Sequence, residues 1–216
     1  SESTRNFVKK VVTRRRQPVV VDADALNLLS PVSEHWPPAH AGGSDKSALT
    51  NVRAYSTLGA AHAGGSDSIP LILTPHEGEF RRLIGEAKNH PDDQGSIEAD
   101  RVAAVREFAT KYKVTLVLKG ERVLIGAPDG RVVVNPTGNS GLGKAGNGDT
   151  LTGILAGFTA QAAKMKVDTF ETVVAAVYVA GMAGDIAEQK YGKRVMTASD
   201  VRECLVDVFE RLGSTE

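Results

Sequence analysis

The residues best suited to chemistry in this 216-residue chain crowd into Asn135–Gly153, NPTGNSGLGKAGNGDTLTG, where glycines line a loop that leads into a helical pattern. Such a loop bares its backbone N–H groups, and the helix dipole adds partial positive charge, so an anion such as phosphate binds without a basic patch. Gly138–Lys144 has the G-x-x-x-x-G-K spacing of a Walker A loop, but Ala145 stands where a hydroxyl should hold magnesium. Gly141, Gly143 and Gly146 also satisfy G-x-G-x-x-G. A dinucleotide fold would then need a crossover helix and a second parallel strand, whereas this chain continues in helical patterns. What is left is Gly146-Asn147-Gly148-Asp149. A carboxylate there is either a helix cap or, with phosphate on the neighbouring donors, a base placed to take a proton from a substrate hydroxyl. The glycines favour the second role: capping needs no clearance, but a ligand pressed against backbone does.

Holding this loop requires a scaffold, and the pattern of the chain supplies one. Pro18–Asp22 (PVVVD), Ile69–Thr74 (IPLILT) and Val114–Leu118 (VTLVL) are continuous apolar runs, which suit strands buried on both faces. Between the second and third, Val102, Val105, Ala109 and Tyr112 recur at helical spacing over Arg101–Tyr112. That alternation is expected of a parallel sheet covered by helices. Val123–Ile125 and Val132–Val134 flank Pro128, Asp129 and Gly130 and read as a hairpin at the sheet edge. Three helices should follow, near 149–163, 169–189 and 199–212. In the last, Val201, Leu205, Val208 and Leu212 form a stripe expected to pack on the sheet, with Thr197 or Ser199 as N-cap. The expected fold class is α/β, a three-layer αβα domain over residues 1–216 with a mostly parallel central sheet, an edge hairpin and C-terminal helices.

Composition narrows the class. A hydrophobic fraction of 41% with 24% charged residues is that of an ordinary globular domain, and 26 basic against 26 acidic residues removes the broad positive field used on nucleic acid or acidic membranes. No partner of either kind is expected. The single cysteine, Cys204, allows no intrachain disulfide and is expected in a helix core. No apolar run approaches a bilayer span and Ser1–Lys10 lacks a secretory apolar segment, so a cytoplasmic protein is expected, or an organellar one if a transit segment has been removed. Arg14, Arg15 and Arg16 read as a solvated face. HAGGSD occurs twice, at His40–Asp45 and His62–Asp67; its glycine pairs fix no ligand geometry, so exposed loops rather than a metal site are expected.

The AGNGD loop resembles the GxGD anion-hole motif of the ribokinase-like superfamily. DADALN (Asp22–Asn27), TPHEGEF (Thr74–Phe80) and LKGERVLI (Leu118–Ile125), in this order before TGNSGLGKAGNGDTLTG, resemble the ATP- or ADP-dependent NAD(P)H-hydrate dehydratases. The likeness runs from about Pro18 to Asp200. It implies a ribokinase-like fold and a repair lyase that dehydrates hydrated NADH or NADPH while hydrolysing ATP or ADP. Mg2+ would accompany the nucleotide, with no metal site on the protein itself.

By that pattern Asp149 is the base, with Gly146, Asn147 and Gly148 stabilising charge on the transferring phosphoryl group. Lys119, Gly120, Glu121, Arg122 and Val123 match the segment that contacts adenine nucleotide, together with Gly148. His76 matches a substrate contact, and Asp24 and Asn27 match residues near the site, although a turn after a strand explains them too. Ala145, Asn147 and Glu77 depart from common family residues. Members also carry strands before DADALN, where only Ser1–Gln17 stands here, so either the chain is a fragment, or those elements are supplied elsewhere, or the substrate side is incomplete; a homo-oligomer is expected, with a fused or separate NAD(P)H-hydrate epimerase as a further partner. A small-molecule vitamin or sugar kinase and a non-catalytic nucleotide-binding module are the competing readings.

Overall fold

The computed structural model describes residues 1–32, 69–85 and 100–214. Both HAGGSD copies lie outside them. Each of the three apolar runs condenses to a short strand, and β1 (Val19–Val21) pairs parallel with β2 (Leu71–Leu73), as β2 does with β3 (Thr115–Leu118). The expected hairpin is β4 (Leu124–Gly126) and β5 (Val132–Val134), which continues the sheet antiparallel in the order β1-β2-β3-β4-β5. Gly130 closes its turn at φ +92°, its N–H donating to the Ala127 carbonyl at 3.0 Å.

The alternation of side chains along the strands divides the core in two. On one face Leu71, Leu73, Leu116 and Leu118 pack under α1 (Glu2–Thr13), α2 (Asp24–Leu29), α3 (Glu77–Leu83) and α4 (Arg101–Tyr112). On the other, Ile72, Val117 and Ile125 meet α5 (Asn147–Met165) and α6 (Thr169–Tyr191) through Leu155, Phe170, Val173 and Val177. The result is the expected three-layer αβα fold. Each aliphatic side chain fully withdrawn from water here contributes about 2 kcal/mol before entropy is counted. Packing is close at Gly126, where a Cβ would stand 2.6 Å from Val105 Cγ1.

Three expectations are corrected. The helix expected over 199–212 breaks at Cys204 into α7 (Ala198–Glu203) and α8 (Leu205–Gly213), with Thr197 and Asp200 forming a capping box on the first. Its stripe does not reach the sheet, because α5 and α6 already cover that face; Val201, Cys204 and Val208 pack instead on Val179, Ala183 and Ile186 of α6, and Leu212 stays exposed. α6 spans 23 residues and its most apolar 18-residue window, with mean hydropathy 1.4, is long and apolar enough to cross a membrane, but 61% of that window is buried in the fold, as in a core helix. Finally, Arg15 is not part of a solvated face: its Nε donates to the Ile69 carbonyl at 2.8 Å, and burial lowers its pKa. Cys204 is buried as expected, and that burial pushes its thiol up.

Candidate functional site

Parallel strands bring their carboxyl ends to one edge of the sheet, where ligands of open α/β folds bind. Asp22, His76 and Lys119 follow β1, β2 and β3 at that edge, and the Lys119 N–H donates to the Pro75 carbonyl at 2.8 Å in a parallel bridge between His76 and Lys119. Lys119 Nζ donates to Asp22 Oδ1 at 2.8 Å, and Thr152 Oγ1 on α5 donates to Asp22 Oδ2 at 3.0 Å. One carboxylate thus joins two strands to the helix that carries Asp149. Burial pushes Asp22 up, but the hydrogen bond and charge of Lys119, the Ala23 N–H and the Thr74 hydroxyl outweigh it and hold the carboxyl below the usual range. Ala23 adopts φ +51° and ψ −126°, a conformation unfavourable for any residue with a Cβ, at the bend between Asp22 and α2.

Gly146 is the N-cap of α5 at φ +87°, and this left-handed step turns the loop into the helix. Asp149 is therefore not the cap. It lies exposed in the first turn, its side chain without a hydrogen bond among the described residues, and shares with Asp22, Thr152, Val8 and Val12 a cavity of about 350 Å³ between α1, β1 and α5. Asn147 is 8% exposed; its Nδ2 donates to the Lys144 carbonyl at 3.4 Å, but Oδ1 is buried with no donor among the described residues. Leaving that acceptor bare is costly unless an incoming group supplies a proton. At Gly148 a Cβ would stand 3.6 Å from Asp22 Oδ2 and 3.8 Å from Lys119 Nζ, so the first turn of α5 lies close against the Asp22–Lys119 pair.

The loop before α5 is fastened to α6. Thr137 Oγ1 donates to the Tyr178 carbonyl at 2.9 Å, the Gly138 N–H donates to Asp185 Oδ2 at 2.8 Å, and Asn139 Nδ2 donates to the Gly184 carbonyl at 2.9 Å. Two glycines of α6 permit this approach: a Cβ on Gly181 would lie 2.8 Å from the Thr137 carbonyl carbon, and one on Gly184 would lie 2.7 Å from Leu142. The glycine-rich loop is thus held rigidly rather than loosely, which is what an anion site built from backbone N–H groups requires.

The expected site residues divide into two groups. Gly146, Asn147, Gly148, Asp149 and Lys119 come together; Gly120, Glu121 and Arg122 follow as an exposed turn, and Val123 packs in the core while its carbonyl accepts the Asn135 N–H at 2.9 Å. His76 is the N-cap of α3 in a capping box with Glu79, Nδ1 accepting from the Glu79 N–H at 3.2 Å, and keeps a side chain 55% exposed. Asp24 and Asn27 are not turn residues but lie on α2, and neither lines the Asp149 cavity. Asn27 Oδ1 accepts from Arg82 Nε at 2.7 Å, which ties α2 to α3. Sequence reasoning passed over Asp22, which the fold makes central, and Asp185; the paired small residues Gly181 and Gly184 were the available signal for the loop's fastening.

In fold the chain is a member of the ribokinase-like class. A ribokinase-like superfamily protein from Enterococcus faecalis superposes with TM-score 0.62 at 23% identity, covering 97% of this chain and 59% of that one. The profile of the NAD(P)H-hydrate dehydratase family matches residues 44–206, and the chain belongs to that family. It is 35% identical over 176 residues to the ADP-dependent (S)-NAD(P)H-hydrate dehydratase of Neisseria meningitidis serogroup B, covering 82% of this chain and 47% of that protein. It is 36% identical over 210 residues to the bifunctional NAD(P)H-hydrate repair enzyme Nnr of Moorella thermoacetica, covering 97% and 32%. A crystal structure of the Bacillus subtilis ADP/ATP-dependent NAD(P)H-hydrate dehydratase, co-crystallized with ATP/Mg2+, superposes with TM-score 0.70 at 27% identity, covering 98% and 60%. The chain thus spans a third to a half of the length of these two sequence relatives.

Proposed function

We propose that this chain carries the nucleotide-binding and proton-handling part of a lyase that dehydrates NADH or NADPH hydrate at the expense of ATP or ADP. The observation that carries the reading is Asp149, whose carboxylate accepts no hydrogen bond among the described residues, on the first turn of α5 beside Gly146 and Gly148 and in one cavity with Asp22. The names of the Neisseria and Bacillus relatives support the substrate and the nucleotide.

Loss of hydroxide from a hydrated nicotinamide ring is slow without a better leaving group. Asp149 takes the proton of the substrate hydroxyl, whose oxygen attacks the terminal phosphorus as the bond to the nucleotide's bridging oxygen breaks. The α5 N–H groups hold the charge that develops on the phosphoryl oxygens. Phosphate then leaves from carbon as a proton leaves the neighbouring ring carbon, restoring the double bond; the water removed from the hydrate ends in inorganic phosphate. The donor set fits a nucleotide that brings its own Mg2+: both Asp22 oxygens already accept hydrogen bonds, whereas the Asp149 carboxylate accepts none among the described residues. When bound, that ion would neutralise phosphate charge, with Asp149 the carboxylate at hand.

In this reading the Lys119–Arg122 segment meets the nucleotide and His76, at the same sheet edge, meets the substrate; the exposure of Gly120–Arg122 and of the His76 side chain supports it. The cavity under α1 is one wall of the substrate side, and we assign its completion to a second chain or to a further segment such as the epimerase expected from the sequence. The bifunctional naming of the Moorella relative supports the second arrangement. The test is recovery of reduced-nicotinamide absorbance from the hydrate with ATP or ADP. Accumulation of a stable phosphorylated small molecule in its place would make the chain a kinase.

A further inference from the structure

Lys144 occupies the lysine position of the Walker-like spacing, yet its ammonium does not face the α5 donors. Nζ donates to the carbonyls of Lys193, Arg194 and Met196 at 2.7, 2.9 and 2.9 Å, which uses all three of its protons. These carbonyls converge because the chain turns tightly after α6: Gly192 sits at φ +81°, and the Val195 and Met196 N–H groups both donate back to its carbonyl. The Met196 side chain is wholly buried and packs against the loop at Gly141, where a Cβ would come within 2.6 Å of its sulfur. The Lys144 carbonyl accepts from both the N–H and the side-chain amide of Asn147. Lys144 thus grips the 192–196 turn with its side chain and the first residue of α5 with its backbone.

We propose that Lys144 is a positioning residue, its ammonium acting as a built-in cation in a cage of three carbonyls that sets the conformation of the anion-binding loop before nucleotide arrives. A lysine that met phosphate directly would need a free donor, and none remains. Without the ammonium the three carbonyls lose their shared donor, and the 140–146 loop samples arrangements in which its N–H groups no longer converge. Nucleotide must then select the competent fraction, so apparent affinity falls by that fraction while the bound state is little changed. The proposal rests on the reading of this loop as a nucleotide site.

The test uses the full chain with Lys144→Met, Lys144→Ala and Lys144→Arg, titrated with a fluorescent ATP analogue, assayed for dehydration, and followed by hydrogen exchange over 138–149 and 192–196. Lys144→Met is expected to raise the nucleotide Kd and KM about 10-fold while kcat at saturation stays within about 3-fold. Exchange in both segments should rise in the free protein and return toward wild type with nucleotide. Propylammonium, which replaces the deleted side chain beyond Cβ, should restore affinity to Lys144→Ala but not to Lys144→Met, whose stem fills the space.

Unchanged affinity and exchange in the Met variant would overturn the proposal, as would a large fall in kcat at unchanged Kd, which would place Lys144 on the reacting phosphoryl group. Wild-type behaviour of Lys144→Arg would overturn the cage, since a guanidinium supplies charge without fitting it. If the Met variant does not fold, propylammonium rescue of the Ala variant decides alone. Exchange in the free protein needs neither nucleotide nor substrate, so a wild-type protein that binds no nucleotide would end the nucleotide reading and leave the free-protein exchange to judge the cage.

Discussion

Lys119 Nζ and Asp22 Oδ1 stand 2.8 Å apart, joining the carboxyl ends of β3 and β1 directly beneath the first turn of α5. The pair is partly buried, with side chains 23% and 12% exposed, and Thr152 saturates the second Asp22 oxygen. Asp22→Asn keeps the shape and the Thr152 contact but leaves Lys119 without its counter-ion, so stability at neutral pH should fall by about 2 kcal/mol by chemical denaturation. Asp22 is held below its ordinary pKa in the fold. Its contribution is therefore complete above the unfolded-state pKa, near 4, and is lost as pH falls through the depressed folded value. The wild type and the Asn variant should differ most above about pH 5 and converge in acid; a gap that persists at low pH would rule out the ion pair as its source.

How much of this was legible beforehand follows from what is local. The three apolar runs announced buried strands, and the loop chemistry of Gly146–Asp149 was visible because glycine and carboxylate sit side by side in sequence. The Asp22–Lys119 pair spans 97 positions and the Asn27–Arg82 bond 55, so each exists only once the order of the parallel strands is known. The stripe from Val201 to Leu212 gave the right periodicity and the wrong partner, since no local pattern says that α6 lies between it and the sheet. Phe7, Val8, Val11 and Val12 have helical spacing, and the helix they form shows its purpose only as a wall of the Asp149 cavity.

Asp149→Asn separates chemistry from binding. The side chain is exposed and Gly146, not Asp149, caps α5, so the substitution removes only a favourable charge near the helix dipole and should cost at most about 1 kcal/mol. If the chain acts as proposed, with Asp149 as the base, dehydration should fall at least about 100-fold, the lower range for a removed acid–base group, while nucleotide affinity stays within a few-fold. Activity near wild type in a purified, folded Asn variant would remove Asp149 from the mechanism.

Gly181→Val tests the fastening of the glycine-rich loop from the helix side. The new side chain must displace Thr137, which donates to the Tyr178 carbonyl, so overpacking should cost about 1–3 kcal/mol and loosen the loop with its Gly138–Asp185 bond. Gly157, with nothing among the described residues within 4 Å of its missing Cβ, is the control on α5. Gly157→Ala should be neutral or slightly stabilising by thermal melting, because alanine loses less backbone freedom in a helix. Equal destabilisation by both changes would mean that glycine in these helices is required for some reason other than clearance.

Ala23 presents the opposite case, a residue with a Cβ where glycine fits better. Its φ of +51° with ψ of −126° bends the chain between Asp22 and α2, and its N–H helps hold the Asp22 carboxylate ionised. Strain of this kind costs about 1–3 kcal/mol, against which glycine loses about 0.5–1 kcal/mol of chain entropy, so Ala23→Gly should raise stability by about 1 kcal/mol. The same change frees the segment that aims Asp22 at Lys119 and Thr152, so the gain in melting temperature should come with equal or lower dehydration activity. A fall in melting temperature would show that the bend carries no strain at Ala23 and that its side chain is held by packing.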